Sequence, residues 1–363
     1  MLTRRGFFRG LSAAALASAS ARTMAGSGAE LEVVARSNIL LNGAAISRAG
    51  RLFCSFPRWT DQDTPGLGEV RAGGNIEPFV PAGWKAARGH GDAERFVSVH
   101  SVHIDAADRL WVLDEGTPRV GPEAGKLSAR PKVICIDLAT NRVERTYRFD
   151  TAAAPAGSSL GHVRADANYA YVSDVGRGAI VIVNRQTGEC RRVLEGHPVT
   201  RADPHRVPTL NGRPMLRNGK PFLVPLDLLD LSADGQWLYF AALCGPRLYR
   251  VAVTTLNDRS LSTAALGAAV EAICEVPAVS GISHAPDGSL YLSALTEYAI
   301  LRMDTDRNVR TYVQDQRLNS PNEGSIRDGW LYVPASQTNG MPIFHAGVSE
   351  LRPPFFVYRL RIL

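Results

Sequence analysis

The chain has 363 residues, 45% of them apolar and 21% charged, with a formal net charge of +6. It contains no run of 18 uninterrupted apolar residues, which argues against a membrane-spanning helix. The positive surplus is local: Arg4, Arg5, Arg9 and Arg22 stand in the first 25 residues without an acid, leaving +2 for the rest, too little to support a nucleic-acid partner.

The chain opens on a targeting pattern. Thr3–Leu11 carries the paired Arg4 and Arg5, a weakly apolar, alanine-rich stretch follows over Leu11–Ala21, and Ala19, Ala21 and Ala25 suit signal cleavage. This resembles a twin-arginine export signal. It predicts a signal over residues 1–25, a mature domain over 26–363, and a periplasmic or secreted protein.

Beyond the signal the pattern is β. Leu31–Ser37 reads as a strand with no partner in the segment after it. One two-strand phrase then returns six times, at Asn42–Phe56, His100–Asp114, Gly161–Asp174, Asp227–Ala242, Ser280–Ala294 and Asn322–Ser336. Each copy is a short apolar strand, a tight polar turn and a second strand ending in a small or acidic residue. Further strands follow, such as Pro131–Leu138 and Val143–Asp150 after the second copy. Four-strand units returning at roughly 40–65 residues are the signature of a β-propeller. A prior of about 150 residues per domain would suggest two domains. Blades, however, bury their faces only against neighbouring blades, so six copies predict one all-β, six-bladed propeller. The sixth copy is one strand short, and Leu31–Ser37 is expected to complete it and leave no free edge. Arg58–Glu69, Gly83–Glu94, His197–Pro225 (an extra hairpin) and Leu256–Ala272 (a short helix) are longer than a blade needs and are expected to serve as lids or partner surfaces.

The five cysteines, Cys54, Cys135, Cys190, Cys244 and Cys274, have no metal-knuckle spacing. Burial as small hydrophobes is favoured over bridging, with the disulfide state open. The glycine-rich segments match no phosphate loop, because none sits between a strand and a helix.

Propeller strands alternate in direction, so first-strand starts and second-strand ends meet on one face of the ring. Aligned on their turns, the repeats put Asn42, His100, Gly161, Asp227, Ser280 and Asn322 at the inner entrance. The same face receives Asp114 with Glu115, Asp174, Leu243 with Cys244, Ser293 through Glu297 and Tyr298, and Ser336. These positions are expected to line a funnel for a small molecule. Asp114, Glu115, Asp174 and His100 are the catalytic candidates; Asn42, Asp227, Ser280, Asn322, Glu297, Tyr298 and Ser336 are the binding candidates. Asp114 and Asp174 fit strand-ending caps of turn amides as well as they fit catalysis. His100 and His103, three apart on a strand, should face opposite ways and not share a metal ion. His103 and His284 are expected between blades, as are the recurring Trp111, Tyr171, Tyr239, Tyr291 and Tyr332. No cofactor, no metal and a monomer are expected.

The segments Asp108–Thr117, Phe56–Trp59, Phe96–Val102, Pro131–Asn141, Tyr169–Glu189, Leu231–Leu243 and Leu318–Val333 together resemble the major royal jelly protein/yellow family, in its bacterial branch. The resemblance spans essentially the whole mature chain. It implies a secreted six-bladed propeller with a ligand pocket at one end of the channel, in a family whose insect members include dopachrome isomerases and binders of aromatic amines. Members usually carry Asp-Gly at the inner-strand start. Here Leu228 follows Asp227, Ser280 precedes Gly281 and Asn322 precedes Glu323, so the pocket is tuned differently. The wider gluconolactonase/regucalcin superfamily holds a divalent ion with a Glu, two Asn and an Asp at these entrances. The matching residues here, Asn42, Gly161, Asp227 and Ser280, make a weak set, which disfavours a metal-dependent lactonase. Three readings follow: an isomerase of a small cyclic compound, a non-catalytic binder with Asp227 as counter-ion, and the lactonase.

Overall fold

The structure, a computed structural model, describes residues 30–60, 62–84, 94–116 and 129–362. The expected signal segment and most of Gly83–Glu94 lie outside these residues. Six four-stranded antiparallel sheets stand around a central channel. Their innermost strands are Ala44–Ile46, Val99–Ile104, Leu160–Ala165, Leu226–Leu231, Val279–His284 and Ser325–Arg327, and the sixth neighbours the first. The chain is thus a six-bladed β-propeller, and it closes as the sequence predicts. The Glu32–Ser37 strand pairs with Phe355–Arg361, Ser37 opposite Phe355 and Glu32 opposite Arg359, as the outer strand of blade 6.

The repeated phrase has a local cause. In blade 2, Asp105 Oδ1 accepts hydrogen bonds from the amides of Ala107 (2.9 Å) and Arg109 (3.0 Å), while Oδ2 accepts from the Trp111 indole at 2.9 Å. Blade 3 repeats the device with Asp166, the amides of Asn168 and Tyr169, and the Tyr171 hydroxyl at 2.8 Å. The turn acid therefore shapes the hairpin and satisfies the polar edge of an aromatic buried between blades. Trp111 and Leu113 of blade 2 pack on Leu160 and Val163 of blade 3, and Tyr171 with Ile182 packs on Leu229 and Phe240 of blade 4. Burying each such side chain stabilises the ring by about 1.5–3 kcal/mol.

Just after its start, the inner strand of blades 2 to 5 carries one extra residue. Pairing skips between Val99 and Ser101, Leu160 and Val163, Leu226 and Leu228, and Val279 and Gly281. Such bulges break the in–out alternation and re-aim side chains beside them.

The insertions differ in detail from expectation. The His197–Pro225 stretch forms two small hairpins, Thr209–Leu210 with Arg213–Pro214 and Leu216–Arg217 with Lys220–Pro221. The helix in blade 4 spans Thr263–Ala268, capped by Ser262 Oγ accepting from the Ala265 amide at 3.2 Å, and a second short helix spans Val253–Asn257. The blade 6 connection between Ala335 and Phe355, not singled out from the sequence, carries two 3-10 turns at Thr338–Gly340 and Pro342–Phe344. All five cysteines are free, and burial pushes the Cys54 thiol up to about 12. No helix among the described residues is long and apolar enough to cross a membrane.

Candidate functional site

One mouth of the channel opens into a cavity of about 560 Å³. Inner strands and their starts supply a polar floor of His100, His162, Asp227, Ser280 and Asn322. Residues just past second-strand ends, Val175, Leu243 and Leu295, form apolar walls. The roof comes from the two insertions: Met215, Arg217, Phe222 and Val224 from one, Met341, Ile343 and Phe344 from the other. They meet where the Asn218 amide donates to the Ile343 carbonyl at 3.1 Å and Phe222 sets its ring edgewise on Phe344 at 5.0 Å.

The floor is organised around His162. Its Nε2 lies 3.6 Å from Asp227 Oδ1 and its Nδ1 lies 3.3 Å from Glu323 Oε1, with the ring fully buried. Burial alone would push the imidazole down, but Glu323 and Asp227 together outweigh it and lift the pKa to about 9. His162 is therefore an imidazolium at neutral pH. Glu323 resists burial in the same way: Arg164 and His162 hold its carboxyl down at about 2. Below it, Arg164 bridges Glu323 and Asp230, with its Nε 2.5 Å from Asp230 Oδ1. Asp230 also accepts from the His284 amide at 3.0 Å. Alternating charges thus continue down the channel from the cavity floor.

A second histidine stands opposite. His100 and His162 have ring centroids 5.5 Å apart, and His100 lies edgewise on Trp59 at 4.9 Å. Behind His100, Glu115 accepts from the Trp59 indole at 2.9 Å and the Ser98 hydroxyl at 2.7 Å, with its other oxygen 3.9 Å from His100 Nδ1.

Of the residues read from the sequence, His100, Asp227, Ser280 and Asn322 line the cavity and Glu115 backs it. Asn42 lies beneath, accepting from the Asn322 amide at 2.8 Å and donating to the His100 carbonyl at 3.1 Å. Asp114 and Asp174 do not reach the cavity. Asp114 accepts from the amides of Val97, Ser98 and Gly116 at 2.7–2.9 Å and pairs with buried Lys132 at 3.1 Å. Asp174 does the same for Ser159, Gly176 and Arg177 and pairs with Arg192 at 2.8 Å. Both are strand-end caps. Glu297 is exposed on the turn after Leu290–Ala294, Tyr298 sits beside it at φ 53°, Ser336 is buried, and none of the three is in the cavity wall. His284 of blade 5 packs its ring on Tyr239 of blade 4, between blades as expected.

Sequence reasoning missed His162, Glu323 and Trp59. Aligning the repeats on their turns pointed to Gly161, but beside the bulge the next residue, His162, lines the cavity. The signal was the glycine itself: a Cβ at Gly161 would stand 2.4 Å from Val175 Cγ1 and 3.1 Å from Ser173 Oγ. A side chain there would have to displace Val175, which walls the cavity.

The four entrance positions matched to the lactonase pattern offer few free oxygens to a divalent ion. The Asn42 amide is engaged at both ends, Gly161 has no side chain, and Ser280 Oγ donates to the Pro321 carbonyl at 2.6 Å, which leaves Asp227. Hard cations seek six or more oxygens. Among the described residues, no three His, Cys, Asp or Glu side chains are grouped to hold a metal.

The sequence pattern of the major royal jelly proteins matches residues 97–334. The chain belongs to the major royal jelly protein family. Its similar relatives include the protein yellow of Drosophila pseudoobscura pseudoobscura, 24% identical over 58% of this chain and 39% of that protein. The protein yellow of Drosophila melanogaster is 23% identical over 58% of this chain and 40% of its own length. This family member thus spans about two fifths of the curated relatives it matches. Its fold is similar to a gluconolactonase from Xanthomonas campestris, with a TM-score of 0.56 at 12% identity over 92% of this chain and 90% of the other. Virginiamycin B lyase from Staphylococcus aureus gives 0.51 at 10% identity, covering 92% and 99%. At such identities the likeness is one of fold alone.

Proposed function

We propose that this royal jelly family member is an isomerase that moves a proton within a small cyclic, quinonoid-type compound bound in the funnel. The observation that carries the reading is the Asp227–His162–Glu323 chain on the floor, facing His100 across 5.5 Å between rings. Moving a proton from carbon to oxygen needs a base and an acid held on one ligand. Asp227, 3.6 Å from His162 Nε2, takes the carbon-bound proton. His100, steadied by Glu115 and Trp59, faces the oxygen that accumulates charge and returns a proton to it. Met215, Phe222, Val224 and Phe344 of the roof limit water at the reacting atoms. The twin-arginine pattern supports the companion proposal that the protein works in the periplasm or outside the cell.

A second reading is a binder of aromatic amines without chemistry. It is favoured by Asp227 being the only acidic side chain in the described cavity wall, under a roof containing Phe222 and Phe344. Deuterium incorporation in D2O separates the two, followed by NMR over a panel of enolisable cyclic ketones and quinonoid compounds. Wild type should exchange at least one of them, and Asp227→Asn should slow exchange by about 10²-fold or more in a protein that still folds. Tight binding without exchange selects the amine binder. An Asp227→Asn protein that binds and exchanges like wild type overturns both readings.

A further inference from the structure

A second cavity of about 390 Å³ lies on the far side of the blade 6 insertion from the first. The two share Trp59, Met341 and Ile343 in their walls. Their chemistry differs sharply. The first has a charged floor, whereas none of the described residues lining the second is charged: Leu351, Pro353 and Phe355 form its apolar side, and Thr60, Gln62 and Ser349 its rim. The insertion between them is anchored rather than loose. Its Asn339 amide donates to Ser320 Oγ at 3.2 Å, the Glu350 amide donates to the Gly340 carbonyl at 2.9 Å, and Ile343 is held from the other insertion by Asn218. The shared wall is therefore made of side chains on a fixed backbone. One of them is Met341, an unbranched thioether that repacks at little cost.

From this arrangement we infer that the second cavity is a subsite for an apolar tail. The ligand is accordingly amphiphilic: a polar, proton-bearing ring on the Asp227 floor and an alkyl or aryl substituent that passes Met341 to rest against Leu351 and Phe355. This rests on the floor binding described under the proposed function, to which it adds a substrate class. Described walls that are uncharged and largely apolar disfavour a second charged group, because an unpaired charge buried against them would be expensive. It accepts methylenes, each worth about fourfold in affinity, the equivalent of about 0.8 kcal/mol. Trp59 is the hinge of the scheme. Its indole donates to Glu115 beside His100, and the residue lines both chambers.

The test uses the full domain and 4-alkylbenzylamines from methyl to hexyl, with affinity by calorimetry and 13C-methyl NMR of the methionine and leucine signals. Affinity should climb about two- to fourfold per methylene through the first four carbons. The longer chains should move the Leu351 signal, while unsubstituted benzylamine moves signals of the first chamber, such as Met215 and Leu243, and leaves Leu351 in place. Ser349→Trp, which fills the chamber, and Leu351→Asp, which charges it, should each abolish the chain-length gain and leave benzylamine affinity unchanged. Asp227→Asn should weaken every member by a constant factor. A flat chain-length profile, or a gain that survives both substitutions, overturns the subsite. If Asp227→Asn changes nothing while long chains still shift Leu351, the tail subsite stands and the floor reading fails.

Discussion

The Glu323→Gln substitution isolates the interaction that charges His162. Glu323 Oε1 lies 3.3 Å from His162 Nδ1 and also meets Arg164, all three side chains being buried. In the wild type, His162 rises from 6.5 to about 9 against the pull of burial. That is about 2.5 units, or about 3 kcal/mol of stability tied to this proton. Because the folded pKa lies above the unfolded one, this stability is complete below pH 6.5 and disappears as pH rises through about 9. Glutamine keeps the shape but removes one of the two anions, so desolvation should pull the imidazole well below 9. The alkaline loss of stability, which still begins near the unfolded value of 6.5, should then be smaller and end at lower pH. At pH 7 the variant should also lose about 3–5 kcal/mol, the range for breaking a buried pair. Arg164 keeps its Asp230 contact at 2.5 Å, which argues for a folded variant. The assay is 13C-histidine NMR from pH 5 to 10, with urea unfolding at pH 7 and pH 9.5. Titration of wild-type His162 at or below 6.5, or matching stability-against-pH curves for the two proteins, would refute the reasoning.

Deleting Leu31–Ser37 should lower the melting temperature by more than 10 °C, since blade 6 would lose its outer strand and expose an edge; an unchanged melting temperature would show that closure does not depend on it. Cys54, Cys135 and Cys244 are buried with thiols pushed up by desolvation, so they should resist a thiol reagent in the native state and react on unfolding, as counted by absorbance. His103 is driven down to about 4 mainly by burial, so it should be neutral in the fold. Its contribution is present above pH 6.5 and lost as pH falls through 4, and His103→Gln should flatten that part of the acid denaturation curve. For export, Arg4→Lys with Arg5→Lys should hold the protein in the cytoplasm on fractionation, whereas normal periplasmic accumulation would remove the twin-arginine proposal.

The ring was legible in the chain because its determinants are short-range. Alternation along each strand, a turn acid such as Asp105 or Asp166, and an aromatic partner a few residues on write the same hairpin repeatedly. A count of hairpins and one missing strand then imply six blades and the role of Glu32–Ser37. The floor was legible in part, because Asp227, Ser280 and Asn322 stand where the repeats align. His162 was not, since an inner-strand bulge is a matter of register against the neighbouring strand and leaves no mark in the alternation, and neither was Glu323, whose inward position is set by Ser101, His162 and Arg164 from other blades. Asp114 and Asp174 looked identical in sequence to funnel acids. Only the folded amides of Val97, Ser98 and Ser159 showed that the loop packed above each strand end claims the carboxylate. The roof lay furthest from reach: Asn218 and Ile343 are separated by more than a third of the chain, and nothing local records that two insertions meet over the same mouth. Periodicity along a chain specifies which backbone groups pair nearby, whereas the direction a carboxylate or imidazole finally faces is set by neighbours that arrive from distant blades.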